Sequence, residues 1–423
     1  MDNCKNNGYD LIVVGGGFAG ACAAMEAADN GLRVLLIDKN NCMGGAAANC
    51  LVTPFMNYWT KDPVTGEKIY LAGNLFMEIV ERMGRLGGMH DNEKNFDEEI
   101  LKLVLNRMCR ERGVELLFNA SVVEAKVENG TITCVGVWGK SRKLELSAKC
   151  FVDATGDAEL ASMAGCACRV GREEDGLCQP MTLCFRVNGV DREKYLAAKP
   201  GINPLYKQFQ QAGKISNPRE DVLIFQTMHE DILHFNTTRV VKLDPTDPFD
   251  VTRAELEARE QAYEIHSFLK ANVSGFENSH VLSTALQVGI RESRMVEGEY
   301  TLTVEDLKSL ARFDDAIAVA NYDIDIHSPD GAGTSHYYFK NGEWYQIPYR
   351  CLIARDCTNL LVAGRCISST HEAQASYRIM PYCAELGQAA GAAASVAIKD
   401  GTTLREVDIK KVQNSLRESG FVI

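Results

Sequence analysis

The sequence predicts an α/β protein in which a strand–helix–strand (βαβ) unit with a central parallel sheet is interrupted by an inserted α+β region. The first observation is an apolar run at residues 10–14, followed at once by glycines, an alanine-rich segment at 21–30 and a second apolar run at 33–38. This unit has about 30 residues, the usual size of a βαβ crossover. The second is a change at 176–345 to mixed strand patterns with several prolines. The third is the return of a buried-strand pattern at 359–364, which places the last strand back in the first sheet.

The remaining elements follow from periodicity, capping residues and turn residues. Gly31 and Gly113 mark the ends of two of the helices. In order, the further elements are a helix at 97–112 capped by Asn95 or Asp97, a strand pair within 114–134 joined at Glu128-Asn129-Gly130, a strand at 150–153, a long charged helix at 252–270 and an Ala- and Gly-rich helix at 384–398. The density of small residues in the last helix predicts close packing against a flat surface.

This pattern divides the chain into three parts. Residues 1–175 are predicted to form the first part of a nucleotide-binding domain, 176–345 a substrate or cap domain, and 346–423 the returning part of the first domain. A chain of 423 residues is too long for one ordinary core, which favours two closely packed domains.

Composition excludes several classes of function. Hydrophobic residues make up 46% and charged residues 24% of the chain, enough for a core that encloses a cofactor. The net charge of −12 argues against nucleic acid or an anionic membrane as a partner, since both need a basic face. No segment approaches the roughly 20 apolar residues that span a bilayer.

The N-terminus and the cysteines predict a reducing compartment. Residues 1–8 are polar and lead directly into a core strand, so they do not resemble a secretory signal, and we expect a cytoplasmic protein. Fifteen cysteines should then be reduced thiols, mostly small core residues. They include no C-x-x-C pair; Cys166 and Cys168 are the closest two, so iron–sulfur and zinc signatures are absent.

The strongest motif is a glycine-rich turn between the first strand and the first helix. Residues 15–20 read Gly-Gly-Gly-Phe-Ala-Gly and match G-x-G-x-x-G. Gly15 would make the tight turn, Gly17 would admit a pyrophosphate close to the backbone, and Gly20 would let the helix pack on the strand. Asp38 ends the second strand about 20 residues on, where an acid binds a ribose hydroxyl. Together these features predict a Rossmann-like dinucleotide site at a helix N-terminus.

Three further motifs resemble the glutathione-reductase-like FAD superfamily. Met43-Gly44-Gly45-Ala46 stands where these enzymes carry a second glycine pair, Val152-Asp153-Ala154-Thr155-Gly156-Asp157 resembles their Ala-Thr-Gly signature, and Leu361-Val362-Ala363-Gly364-Arg365 resembles the strand that reaches the ribityl chain. Arg365 replaces the usual Asp or Glu, and Asp38 replaces the usual Glu. The resemblance implies FAD as the cofactor.

The late motifs resemble a bacterial family of FAD-dependent oxidoreductases that is distantly similar to fumarate reductase and L-aspartate oxidase flavoproteins. These motifs are residues 289–294, 296–300, 323–327, 347–350, 363–371, 378–381 and 387–391. In this superfamily the helix N-terminus that follows Met380-Pro381 points at the flavin pyrimidine, where its partial positive charge stabilises a reduced anion. The histidine that attaches FAD covalently in fumarate-reductase-like enzymes is missing after Gly45, so no covalent link is assigned.

The motifs and the resemblance together yield one set of expected cofactor contacts. They are Gly15, Gly16, Gly17, Phe18, Ala19, Gly20, Asp38, Lys39, Gly44, Gly45, Ala46, Val123, Thr155, Gly156, Asp157, Gly364, Arg365, Ile379 and Met380. No resident metal is predicted, because Asp323, Asp325 and His327 alternate on one strand without a fourth ligand.

Four residues are candidates for chemistry beside a flavin. His371 is the first candidate for proton transfer, because a histidine titrates near neutral pH and lies six residues past Arg365. Arg291 could clamp a carboxylate together with Arg294, or the two could pair with Glu292, Glu297 or Glu299. His327 and Tyr349 are the weaker candidates, with Arg378 left open between a flavin-facing and a structural role.

The expected function is hydride transfer between flavin N5 and a small polar substrate, by a dehydrogenase or reductase that exchanges electrons with a diffusible donor or acceptor. No second G-x-G-x-x-G is present, which disfavours a dedicated NAD(P)H domain. The alternatives are a flavin monooxygenase, a nucleotide-binding transferase of thiazole-synthase type and a non-enzymatic flavin sensor. Substrate identity, reaction direction and oligomeric state do not follow from the sequence.

Overall fold

The computed structural model describes residues 5–423, and for residues 5–7 only the backbone. Met1–Cys4, part of the polar segment that we expected not to be a secretory signal, lie outside the described residues. The strands are β1 (Lys5–Val14), β2 (Val34–Asp38), β3 (Trp59–Lys61), β4 (Lys68–Tyr70), β5 (Glu115–Phe118), β6 (Ser121–Glu128), β7 (Thr131–Gly139), β8 (Arg142–Asp153), β9 (Cys168–Val170), β10 (Phe185–Asn188), β11 (Ile224–Gln226), β12 (Leu233–Phe235), β13 (His280–Thr284), β14 (Arg294–Val296), β15 (Ala316–Ala320), β16 (Ile324–His327), β17 (Thr334–Tyr337), β18 (Tyr345–Pro348) and β19 (Leu360–Val362).

Eleven α-helices connect these strands in the described part of the chain. They are α1 (Phe18–Asp29), α2 (Gly45–Asn49), α3 (Asn74–Arg85), α4 (Glu98–Glu111), α5 (Glu159–Met163), α6 (Arg192–Gln211), α7 (Pro248–Asn272), α8 (Val304–Lys308), α9 (His371–Tyr377), α10 (Met380–Asp400) and α11 (Ile409–Glu418), with a short 3₁₀ turn at Tyr349–Cys351. Asp97 caps α4 through the amides of Glu99 and Ile100, which decides between the two caps that the sequence offered.

The central sheet has the order β5-β2-β1-β8-β7-β6, and β19 also pairs with β8. The pairs of β1 with β2 and β8, of β2 with β5 and of β8 with β19 are parallel, while the hairpin β6–β7 is antiparallel. β1 is buried on both faces, because Leu11 and Val13 pack in one hydrophobic cluster and Ile12 and Val14 in another. The predicted α/β class with a mostly parallel central sheet is confirmed.

Helix α10 lies against α1 at a distance that only small residues allow. A side chain on Gly387 would place Cβ 1.9 Å from the carbonyl oxygen of Ala19, and one on Gly391 would place it 2.4 Å from that of Ala23. The Ala- and Gly-rich sequence of α10 therefore packs backbone against backbone, as its composition predicted. This contact holds the N-terminus of α10 beside the N-terminus of α1.

The inserted region has a sheet and a core of its own. Strands β11-β12-β10-β13 form a four-stranded antiparallel sheet. Aromatic and aliphatic side chains of α6 and α7 cover it, with Phe185 stacked on Phe235 at 4.7 Å. Strands β15 and β18, by contrast, pack into the same cluster as α1 and α10. The division at 175 and 345 stays a prediction.

Two further observations concern the cysteines and the apolar length of the helices. The described part of the chain carries fourteen cysteines, all free and mostly buried; Cys4 lies outside it. None of the helices in residues 5–423 is long and apolar enough to span a bilayer.

Candidate cofactor cleft and active site

One cleft of about 510 Å³ opens at the carboxyl ends of β1, β2, β8 and β19, the edge at which parallel sheets bind ligands. Nearly all of the predicted cofactor residues line it. They are Gly15, Gly16, Gly17, Phe18, Ala19, Asp38, Lys39, Gly44, Gly45, Ala46, Thr155, Gly156, Asp157, Gly364, Arg365 and Met380. Their contacts with a cofactor stay predictions, but their convergence on one cleft supports them.

Three of the predicted cofactor residues do not line the cleft. Gly20 faces the sheet, where an added Cβ would lie 1.8 Å from the carbonyl oxygen of Gly15. The side chain of Val123 is 50% exposed on β6, and its neighbours Ser121 and Val122 line the cleft instead. Ile379 is the N-cap residue of α10, directly before Met380.

The glycine turns form a cradle that has no room for a side chain at Gly15 or Gly45. Gly15 has φ +102°, and an added Cβ would lie 2.5 Å from the carbonyl oxygen of Ala154. An added Cβ on Gly45 would lie 2.8 Å from Cα of Gly17, so the two glycine turns touch. The first amides of α1 face this cradle, which fits a pyrophosphate held by backbone N–H groups.

Asp38 lies at the end of β2 with its carboxylate turned into the cleft. One oxygen accepts the amide of Gly16 and the other accepts the amide of Asn40 at 2.7 Å. These bonds fix the carboxylate beside the glycine turn and leave lone pairs for a ribose hydroxyl. Asp38 is thus held beside the glycine turn, and its contact with a ribose stays a prediction.

The unusual Arg365 forms an ion pair with Asp157, which lies just after the end of β8. Arg365 Nη2 lies 2.6 Å from Asp157 Oδ1, and Ser293 Oγ donates to the same oxygen at 2.6 Å. Burial alone would raise the pKa of Asp157, but Arg365, Ser293 and Lys39 hold it below its usual value. The acid that is missing at position 365 is therefore present at 157, bonded to the arginine that replaced it.

Arg291 and Arg378 are two half-buried arginines without a carboxylate partner in residues 5–423. Arg291 donates to the carbonyl of Pro180 at 2.7 Å and to Thr182 Oγ1 at 2.6 Å, and Arg378 lines the cleft and donates to the carbonyl of Asp325 at 3.2 Å. Neither forms an ion pair in the part of the chain that the structure describes. Burial, followed by the nearby charge of Arg378, lowers the pKa of Arg291 to about 9.

The predicted interpretation of Arg291 and Arg294 as partners of nearby glutamates is wrong. Glu297 lies 3.5 Å from Arg355, and Glu299 lies 2.7 Å from Arg405. Glu292 binds a histidine instead. These glutamates bind partners that lie far away in the chain, and Arg294 itself begins β14, which pairs with β9.

His371 forms the N-terminal residue of α9 and bonds to a buried glutamate. Its Nδ1 lies 2.8 and 2.7 Å from the two carboxylate oxygens of Glu292, which also accepts the amide of Gln179 at 2.8 Å. Glu292 is fully buried and His371 is 5% exposed. The carboxylate keeps the proton on Nδ1, so Nε2 is the nitrogen that could exchange a proton. His371 is not among the residues that line the cleft.

His327 belongs to a buried relay. Nδ1 lies 3.1 Å from Arg239 Nη2 and Nε2 lies 3.3 Å from Asp325 Oδ2, so the neutral ring accepts from the arginine and donates to the carboxylate. Burial first, then the charge of Arg291, lowers the pKa of His327 to about 3, against the effect of Asp325. A residue that stays neutral in this way orients Asp325 rather than shuttling protons near neutral pH.

Tyr349 is placed away from the cleft. Its hydroxyl donates to the carbonyl of Leu404 at 2.7 Å, and the side chain is 3% exposed within the main core. Burial raises the pKa of this phenol. Tyr349 is not among the described residues that line the cleft.

Sequence reasoning missed the partners of these residues. Glu292 and Asp325 lie in the motifs at 289–294 and 323–327, and Arg239 lies in none, but no motif indicates their partners, which lie 79, 2 and 88 positions away in the chain. A signal was present for Asp325, which alternates with His327 on one strand, but it suggested a metal ligand. No cluster in residues 5–423 has three side chains suited to hold a metal ion.

Comparison with known proteins supplies the chemistry of the cleft. A profile of the family described as FAD dependent oxidoreductase matches residues 10–416. The chain belongs to this family. It is therefore an enzyme that uses FAD, and the cleft with its glycine cradle is the place that fits this cofactor.

More specific relatives match only short segments. A digeranylgeranylglycerophospholipid reductase of Methanocella arvoryzae is 31% identical over 35% of this chain and 39% of its own length, and a vinyl phenol reductase of Lactiplantibacillus plantarum is 47% identical over 11% and 10%. The chain thus spans well under half the length of these two proteins. Among solved structures, a geranylgeranyl bacteriochlorophyll reductase-like protein of Thermoplasma acidophilum has a TM-score of 0.48 at 13% identity, with 97% of this chain and 82% of that chain covered.

Proposed function

We propose that this FAD-dependent oxidoreductase is a dehydrogenase or reductase that moves a hydride between flavin N5 and a small polar substrate carrying an acid group. The observation that carries the proposal is the pair Arg291 and Arg378, two half-buried cations at or near the cleft without a carboxylate partner in residues 5–423. An unpaired charge is costly to bury. A bound anion would compensate both.

Unused hydrogen-bonding atoms support the same location. Arg378 Nη1 and Asp325 Oδ1 are buried and have no hydrogen-bond partner. One is a donor and the other an acceptor, so a polar ligand would satisfy both where an apolar one would leave both unpaired. The late motifs that carry the resemblance to FAD-dependent oxidoreductases include Arg291, Asp325 and Arg378.

The residues divide the work as follows. FAD supplies the two-electron acceptor or donor when it is bound. Arg291 and Arg378 hold the acid group and orient the reacting carbon. Arg378 donates to the carbonyl of Asp325, and the contacts of Asp325 with His327 and of His327 with Arg239 hold this strand in place. His371 exchanges the proton at Nε2, oriented by Glu292. Because His371 is not among the residues that line the cleft, this exchange passes through a water.

The proposal is tested by anaerobic screening of small acids and their neutral analogues for bleaching or reoxidation of the flavin spectrum. We expect acids to react and their methyl esters to fail. In Arg378→Gln the flavin content should stay near that of the parent, while kcat/KM falls roughly 10- to 100-fold, the value of one or two hydrogen bonds to a charged group. Arg350→Gln is the matched control, since Arg350 pairs with Asp315 at the surface and should retain parent activity.

Two results would overturn the proposal. Reaction with neutral, apolar compounds only would remove the role of the arginines. Oxygen consumption that requires NAD(P)H and yields a hydroxylated product would instead indicate a monooxygenase, and a protein that transfers sulfur or carbon without redox change would indicate the thiazole-synthase alternative.

A further inference from the structure

The cofactor cleft is not lined by the nucleotide-binding fold alone. Pro245, Thr246, Asp247, Pro248 and Val251 from the inserted region line the same cleft as the glycine turns. These residues belong to the segment 245–251, which leads into α7 and forms its first turn. We name this segment the clasp.

Hydrogen bonds of the residues that follow the clasp and of the segment at 286–288 indicate that the inserted region lies at the adenosine end of the cleft rather than at the flavin end. Glu255, one turn further along α7, accepts the amide of Val288 at 2.6 Å, and Gln287 donates to Asn40 Oδ1 at 2.8 Å. Asn40 lies two residues after Asp38, the predicted ribose ligand. The amides of Leu286 and Gln287 also donate to the carbonyl of Asn49. The inserted region is thus hydrogen-bonded to the loop that follows β2 and to the end of α2.

The clasp is a preformed turn. Asp247 accepts the amide of Phe249 at 2.7 Å, and Asp250 accepts the amide of Asp244 at 2.8 Å. Pro245 and Pro248 restrict the backbone further. A segment ordered in this way loses little conformational entropy when a ligand lies beneath it.

We propose that the clasp encloses the adenosine half of FAD, with the Gln287–Asn40 hydrogen bond as its latch. The cofactor then leaves the protein only after the clasp opens, so the inserted region controls cofactor retention in addition to forming the substrate end. This inference depends on FAD binding, which family membership shows, and is independent of the proposed substrate.

The test is the rate at which FAD leaves the holoenzyme on dilution, followed by the rise of free flavin fluorescence. Gln287→Ala should release FAD about 3- to 10-fold faster, the effect of one neutral hydrogen bond. Asn40→Ala removes the other end of the bond, and the double variant should release FAD no faster than the faster single variant. Phe249→Ala is the control, because this clasp side chain is 81% exposed and does not line the cleft; it should behave like the parent.

Equal release rates in the parent and in Gln287→Ala, or fully additive effects in the double variant, would overturn the proposal. Hydrogen exchange of the parent protein provides a test that needs no variant. Protection of the amides at 246–251 should rise with FAD occupancy between half-loaded and fully loaded protein. Protection that does not change with occupancy would also overturn it.

Discussion

The two ends of the cleft are built in different ways. The cofactor end uses backbone groups of short segments, the turns at 15–20 and 44–46 and the strand end at 154–157, which contact each other through glycines. The proposed substrate end uses side chains, Arg291, Arg378 and the His371–Glu292 pair, each held by a partner elsewhere in the chain; of these, Arg378 lines the cleft. A backbone site depends on local conformation and a side-chain site on tertiary packing. The two ends should therefore respond differently to substitution.

The largest expected effect is at the cofactor end. Gly20→Ala would place Cβ 1.8 Å from the carbonyl oxygen of Gly15, so α1 and the glycine turn must separate. We expect loss of bound FAD and of much of the folded protein, measured by flavin content and thermal unfolding. Gly201→Ala is the control, because nothing lies within 4 Å of its added Cβ; it should fold normally and bind FAD. Parent-like FAD content in Gly20→Ala would contradict the close packing.

At the substrate end a substitution should leave the cofactor in place. If His371 exchanges the proton, His371→Ala should keep FAD but lower the rate of flavin reduction or reoxidation by roughly 10²- to 10⁴-fold. Glu292→Gln should lower it less, since the ring keeps Nε2 while its orientation loosens. Stopped-flow rates and flavin content give both readouts. If His371→Asn reacts like the parent while His371→Ala loses FAD, the role of His371 is structural.

A smaller effect is expected from a single side chain at the cofactor end. Asp38→Ala removes the acceptor that orients Gly16 and that we expect to bind a ribose hydroxyl. FAD affinity should fall by about 1.5–3 kcal/mol, the value of a hydrogen bond to a charged group, measured by titration of the stripped protein. Asp38→Asn should recover part of this loss. An unchanged dissociation constant for Asp38→Ala would leave FAD binding to the backbone alone.

The smallest effect concerns the pH dependence of stability at the substrate end. His327 has a pKa of about 3 in the folded protein and an ordinary value near 6.5 when unfolded. Below pH 6.5 the unfolded chain therefore binds the proton and the folded chain does not. As the pH is lowered below 6.5, this residue should therefore reduce the free energy of unfolding by up to about 1.4 kcal/mol per pH unit.

His327→Gln should make the urea unfolding free energy of the holoenzyme less dependent on pH between 7 and 5. His229→Gln, at an exposed position, should keep the slope of the parent. Equal slopes in the parent and in His327→Gln would mean that His327 is protonated, or reached by water, in the folded protein.

The sequence by itself determined the fold class and the position of the cofactor end. Apolar strands, helix caps and glycine spacing act over a few residues, so G-x-G-x-x-G, Asp38 and the Ala-Thr-Gly strand end could be assigned from local pattern, and the residues chosen from them line one cleft. Element ends differed by a few residues: the last long helix begins at Met380 rather than 384, and β8 begins at Arg142 rather than 150.

Only the tertiary structure decided what surrounds each side chain. His371 and Glu292 are 79 positions apart, and Gln287 and Asn40 are 247 apart. No periodicity or motif encodes such pairs, because they arise from how the inserted region packs on the central sheet. For the same reason Tyr349 lies in the core, Glu292 binds a histidine rather than an arginine, and a turn of the inserted region lies at the mouth of the cofactor cleft.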